Sequence, residues 1–178
     1  MLNPKSKWLA LLLLTSFQAQ AHTDQLPQMS FQIGLLHPLT GFDHLLAMLL
    51  IGMTAALTPK IKLSLPLVFS FGLLIGTLAT GWLNAAINIE LWVAISVVAF
   101  AALVWRSTRI NPTLQMGVVG IFAIAHGAAH NISLPSTPDL ASTAGLLISS
   151  LLLQSIGFAI GQHPCFSKKL ALDTKMTS

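Results

Sequence analysis

Asp43 and His44 stand side by side at the head of an apolar run, Leu45-Leu46-Ala47-Met48-Leu49-Leu50-Ile51-Gly52-Met53. A carboxylate oxygen next to an imidazole nitrogen is a ligand pair suited to borderline divalent metals. An ionisable side chain within a membrane-crossing helix costs roughly 2.5–3.5 kcal/mol on insertion scales, so it marks a functional site by default. His37 lies upstream in His37-Pro38-Leu39-Thr40-Gly41-Phe42, and Met48, four residues after His44, offers a soft thioether on the same helix face. A second polar cluster is His126-Gly127-Ala128-Ala129-His130. Its histidines are also four apart, so both imidazoles can point the same way.

The elements that carry these residues are apolar helices. Of 178 residues, 54% are hydrophobic and only 8% charged, against about 25% charged in soluble domains. The fold class expected is therefore all-α, a polytopic membrane helical bundle with no room for a separate soluble domain. The net charge of +4 comes from basic residues scattered in ones and twos, which is not a nucleic-acid-binding patch. A lone cysteine, Cys165, excludes an intrachain disulfide. No GxxxxGK[ST] loop is present, which excludes ATP hydrolysis through a P-loop.

Residues 1–21 read as a signal peptide. Lys5 and Lys7 form its basic region, Trp8 to Phe17 its short apolar core, and Ala19-Gln20-Ala21 its cleavage pattern. Residues 22–178 then form one transmembrane domain with a periplasmic N-terminus. Five spans are expected near 39–57, 63–83, 89–105, 113–129 and 140–161, each close to the roughly 20 residues that cross a bilayer. Pro38 suits the start of the first. Lys60 and Lys62, then Arg106 and Arg109, then Lys168, Lys169 and Lys175 fall in alternate loops, whereas 84–88 and 130–139 hold no Lys or Arg. The positive-inside rule makes the basic side cytoplasmic, in a bacterial inner membrane. Gly72 with Gly76, and Gly157 with Gly161, predict close helix packing. Trp82, Trp92 and Trp105 read as interfacial anchors.

This topology brings the two polar clusters to one depth. The first span descends from the periplasmic face and the fourth rises towards it. Asp43, His44, His126 and His130 thus lie near that face, with His37 just outside. The structural alternative is a network in which Asp43 and a histidine glue helices together. His22, His163 with Cys165, and Glu90 are better explained as a tail residue, a surface pair and a helix-start acid.

His37-Pro38, Gly41, Asp43-His44, Ala47-Met48 and Gly52 resemble the first signature of the HupE/UreJ family, and His126-Gly127, Ala129 and His130 its second. The resemblance covers essentially the whole chain. It implies a nickel permease serving hydrogenase or urease maturation proteins, and a metal-handling set of His37, Asp43, His44, His126 and His130. In one departure, Asn131-Ile132-Ser133 follows the second histidine where the family pattern places a Glu. The expected function is import of a divalent transition metal, nickel first, with cobalt or zinc as other cargoes, and not catalysis. An intramembrane zinc-dependent hydrolase and a non-transporting assembly factor are the competing classes.

The orientation is directly testable. A reporter active only in the cytoplasm should work when fused after Lys169 and fail when fused after Ser136. The opposite pattern would invert the topology.

Overall fold

The computed structural model describes residues 30–86, 88–107, 109–132, 140–164 and 166; side chains at 30, 80–86 and 130–132 are not part of that description. Residues 1–21, His22, Ser133, Cys165, Lys168, Lys169 and Lys175 lie outside it, as do the side chains of His130 and Trp82.

Six α-helices follow one another: α1 (Ser30–Thr40), α2 (Phe42–Leu57), α3 (Ser64–Ala86), α4 (Ile89–Arg106), α5 (Pro112–Ile132) and α6 (Leu140–Gln162). A 3₁₀ turn, Pro59–Ile61, follows α2. Among the described residues, α4, α5 and α6 are each long and apolar enough to cross a membrane, and α1 with α2 meets the same measure only as a bent pair, the form of a broken span or a re-entrant loop. The outer surface is apolar, with Phe71, Leu78, Val98, Ile121 and Leu152 exposed. Such a surface suits lipid and would be an aggregation hazard in water. The protein is a multi-pass membrane protein.

The first span departs from its sequence expectation. Pro38 does not start it but lies inside α1, and α2 begins only at Phe42. The two helices meet at an angle of 85°. Pro38 has no N–H to continue the ladder, and the Thr40 hydroxyl donates to the His37 carbonyl at 2.9 Å. Gly41 is extended, with φ −93° and ψ 111°, and turns the chain. A Cβ there would lie 3.2 Å from Asp43 Oδ1 and 3.3 Å from His44 Nδ1. Glycine therefore leaves room for the polar pair at the corner.

Small residues set the helix pairings. A Cβ on Gly52 of α2 would overlap the Gln154 carbonyl of α6, and one on Gly157 would overlap the Leu49 carbonyl. Gly34 and Gly145 seat α1 on the same helix in the same way. Gly76 and Gly127 join α3 to α5. The close packing expected at Gly72/Gly76 and Gly157/Gly161 is present: Gly76 and Gly157 face backbone carbonyls, whereas Gly72 and Gly161 face the Cβ atoms of Ala123 and Ala56. Helix α4 contacts both α2 and α5. Its buried stripe is Ile89, Val93, Ser96, Phe100 and Leu103, a four-three spacing with one polar member. The central core adds Met48 and Ile51 of α2, Leu65, Phe69 and Leu73 of α3, and Val119 of α5.

One end of the bundle is tied by Gln115, which is fully buried. Its amide donates to the carbonyls of Ser107 at 2.8 Å and Ile110 at 3.0 Å. Its carbonyl accepts from the Thr58 hydroxyl at 3.3 Å. The loop bearing Lys60 and Lys62 and the loop bearing Arg106 and Arg109 thus meet at the same end, as the charge pattern requires.

Gly52→Ala should lower stability by about 1–3 kcal/mol, because the overlapping atom is backbone and cannot rotate away. Gly117, with open space around it, should tolerate Ala. Thermal unfolding of the detergent-solubilised variants makes the comparison. Equal midpoints would mean that α2 does not rest on α6 at Gly52.

Candidate metal site

The corner between α1 and α2 carries the first half of the site. His37 lies in the last turn of α1 and Asp43 in the first turn of α2. A carboxylate is favoured there, where the helix N-terminus leaves N–H groups unpaired and the dipole is positive. Asp43 Oδ1 accepts the main-chain N–H of His44 at 2.9 Å and sits 3.0 Å from its ring Nδ1. A carboxylate cannot donate, so Nδ1 carries the hydrogen and the His44 lone pair is on Nε2. Asp43 therefore orients an imidazole, as carboxylates behind metal-bound histidines do. Its side chain is 45% exposed, whereas that of His44 is 10% exposed.

The second half comes from α5. His126 is wholly buried. Its ring centroid lies 4.9 Å from that of His44, with the planes nearly perpendicular. Phe69 of α3 lies 5.8 Å away, and Phe100 of α4 stacks on the ring at 6.3 Å. His126 Nε2 is 2.7 Å from the Ser96 hydroxyl. Its Nδ1 is buried and has no hydrogen-bond partner among the described residues.

The structure therefore brings together His37, Asp43, His44 and His126. His37 and His44 are 5.7 Å apart between ring centroids, so the three imidazoles form a row with Asp43 behind the middle one. His130 lies on α5, and its side chain is outside the described residues. Met48 is buried one turn along α2 from His44. Among the described residues, no group of three or more His, Cys, Asp or Glu side chains is set to hold a metal ion as it stands. These side chains do not converge on one ion as they stand, and one Asp43 oxygen is committed to His44.

The site lies far from the basic loops. His44 is fourteen residues from Thr58, or about 21 Å along a helix, and His126 eleven from Gln115, or about 17 Å. Sequence reasoning missed Ser96, Phe69 and Phe100. The available signal for Ser96 was its place as the one polar residue in the α4 stripe. Phe69 and Phe100 gave none, since apolar residues fill every helix here.

Residues 9–173 match the family model described as HupE / UreJ protein. The chain belongs to the HupE/UreJ family. Protein HupE of Rhizobium leguminosarum bv. viciae is 32% identical over 130 residues, which cover 71% of this chain and 68% of the relative. No solved structure matches. Membership covers all six helices and both polar clusters.

His126→Phe separates a functional histidine from structural glue. Phe matches the aromatic walls and leaves the Ser96 hydroxyl its bond to the Val93 carbonyl. Losing one partner is costly when it leaves a buried group unsatisfied, and here the Ser96 hydroxyl remains bonded to Val93. The unfolding midpoint should therefore move by less than about 4 °C. A large fall would make His126 a structural residue.

Proposed function

We propose that the protein is an inner-membrane permease that admits a divalent transition metal, nickel first, from the periplasm to the cytoplasm. The observation that carries this reading is the row of three imidazoles with a carboxylate, set within an apolar bundle. Intramembrane ionisable groups mark ion pathways. A curated relative of the same family carries the name Protein HupE, and family members are linked to hydrogenase and urease maturation, which consume nickel.

In this reading His37 receives the ion at the mouth. His44 supplies a nitrogen, with Asp43 providing compensating charge and fixing the ring. His126 supplies the next nitrogen, and His130 lies one turn further along α5. A row suits conduction better than a closed cage. Each ligand pair must bind well enough to draw the ion in and weakly enough to pass it on. The apolar walls at Phe69 and Phe100 exclude water from the His126 ring, which strengthens electrostatic interactions at that end of the site. The basic loops at the far end lie on the cytoplasmic side. Residues 1–21 are a cleaved signal peptide that delivers the mature N-terminus to the periplasm.

Uptake into proteoliposomes, with nickel, cobalt and zinc compared, tests the function. Asp43→Asn retains the shape and removes both charge and a firm acceptor for His44. Uptake should fall by about 10- to 100-fold, as for loss of a carboxylate behind a metal-bound histidine, while the protein still inserts. Undiminished uptake by this variant would remove Asp43 from the mechanism.

A further inference from the structure

The Ser96 hydroxyl makes two short contacts. It lies 2.6 Å from the Val93 carbonyl oxygen one turn back along α4. It lies 2.7 Å from His126 Nε2 on α5. A hydroxyl has one hydrogen, and a carbonyl oxygen can only accept. Both contacts are hydrogen bonds in one arrangement alone: Ser96 donates to Val93, and His126 Nε2–H donates to Ser96. The reverse would set two oxygen acceptors against each other at 2.6 Å in a water-free interior, where an unpaired polar group is costly.

The consequence falls on the opposite side of the ring. A neutral imidazole with its hydrogen on Nε2 has its lone pair on Nδ1. That atom is buried without a hydrogen-bond partner among the described residues. Phe69 and Phe100, which flank the ring, offer no donor. His44 has given its own hydrogen to Asp43. Neither imidazole then has a proton to offer the other, although their centroids are 4.9 Å apart. A buried lone-pair nitrogen with no donor on it, as His126 Nδ1 is among the described residues, is matched by a cation.

We propose that Ser96 is a positioning residue: it holds His126 in the Nε2–H tautomer and so presents the Nδ1 lone pair to the divalent metal. This rests on the permease reading for the identity of the ligand, but not for the tautomer. Asp43 and Ser96 thus perform matching tasks on neighbouring rings and select opposite tautomers, Nδ1–H in His44 and Nε2–H in His126.

Nitrogen-15 NMR of the full chain, labelled at histidine and solubilised in detergent, reads the tautomer without metal. At about pH 9 the neutral ring prevails over an ordinary value near 6.5, and His126→Phe assigns the signal. The wild type should show a protonated Nε2 and a bare Nδ1. Ser96→Ala should mix the tautomers, and Ser96→Thr, which keeps the hydroxyl, should retain the wild-type pattern. Nickel affinity should fall about 10- to 100-fold in Ser96→Ala and stay within about threefold in Ser96→Thr. A dominant Nδ1–H form in the wild type overturns the proposal, as does Ser96→Ala that keeps both tautomer and affinity. If Ser96→Ala does not fold, the wild-type and Ser96→Thr spectra decide. Wild-type protein that binds none of nickel, cobalt and zinc overturns the metal reading instead, whatever the tautomer.

Discussion

The Asp43 carboxylate takes two hydrogen bonds from a single residue, the main-chain N–H and the ring N–H of His44. Much else in the structure serves this arrangement. A carboxylate in an apolar bundle needs donors, and a helix N-terminus supplies them. The chain must therefore begin a new helix at Phe42 rather than continue the one before it. Pro38 removes one N–H from the ladder of α1, the extended Gly41 turns the chain, and a side chain at Gly41 would crowd Asp43 Oδ1 and His44 Nδ1. His44 is then fixed in orientation at the head of the buried α2 stripe, which continues through Met48, Ile51 and Ala55.

Two buried polar centres show how structure and function differ. At the basic end, Gln115 uses both amide hydrogens and its carbonyl oxygen on Ser107, Ile110 and Thr58. Every polar atom of the side chain has a protein partner, and the residue acts as a tie between loops. At the other end His126 is equally buried yet keeps one nitrogen without a hydrogen-bond partner among the described residues. Buried polar groups are nearly always satisfied, and an exception needs an explanation. The aromatic walls hold the His126 ring in place but offer its Nδ1 no hydrogen bond.

Much of the architecture was legible because its physics is local. Apolar length fixed the helices from the second span onward to within a few residues; α4 was expected at 89–105 and runs Ile89–Arg106. Loop charge and alternating direction placed His44 and His126 at one depth, and the rings do meet. The first span was misread because Pro38 favours a helix start in isolation, whereas here it ends one helix before Gly41 opens the next. Ser96 was passed over because a single serine in an apolar helix commonly bonds its own backbone. Its second bond depends on which helix lies opposite, and packing partners are not written in any one segment. Phe69 and Phe100, which also touch each other, are ordinary core residues until His126 packs against both.

The glycine contacts divide the bundle into two stiff bodies. One comprises α1, α2 and α6, interlocked at Gly34, Gly145, Gly52 and Gly157; the other comprises α3 and α5, interlocked at Gly76 and Gly127. Helix α4 touches both bodies. His44 rides on the first body and His126 on the second, so the imidazole pair spans the seam between them. Both arms of the bent span are seated on α6, so the 85° corner cannot flex without losing one of those seats. A slide or tilt of one body on the other would leave these glycine seats intact. An ion gripped by both rings would act as a rivet across that seam, and its release would free the two bodies to shift.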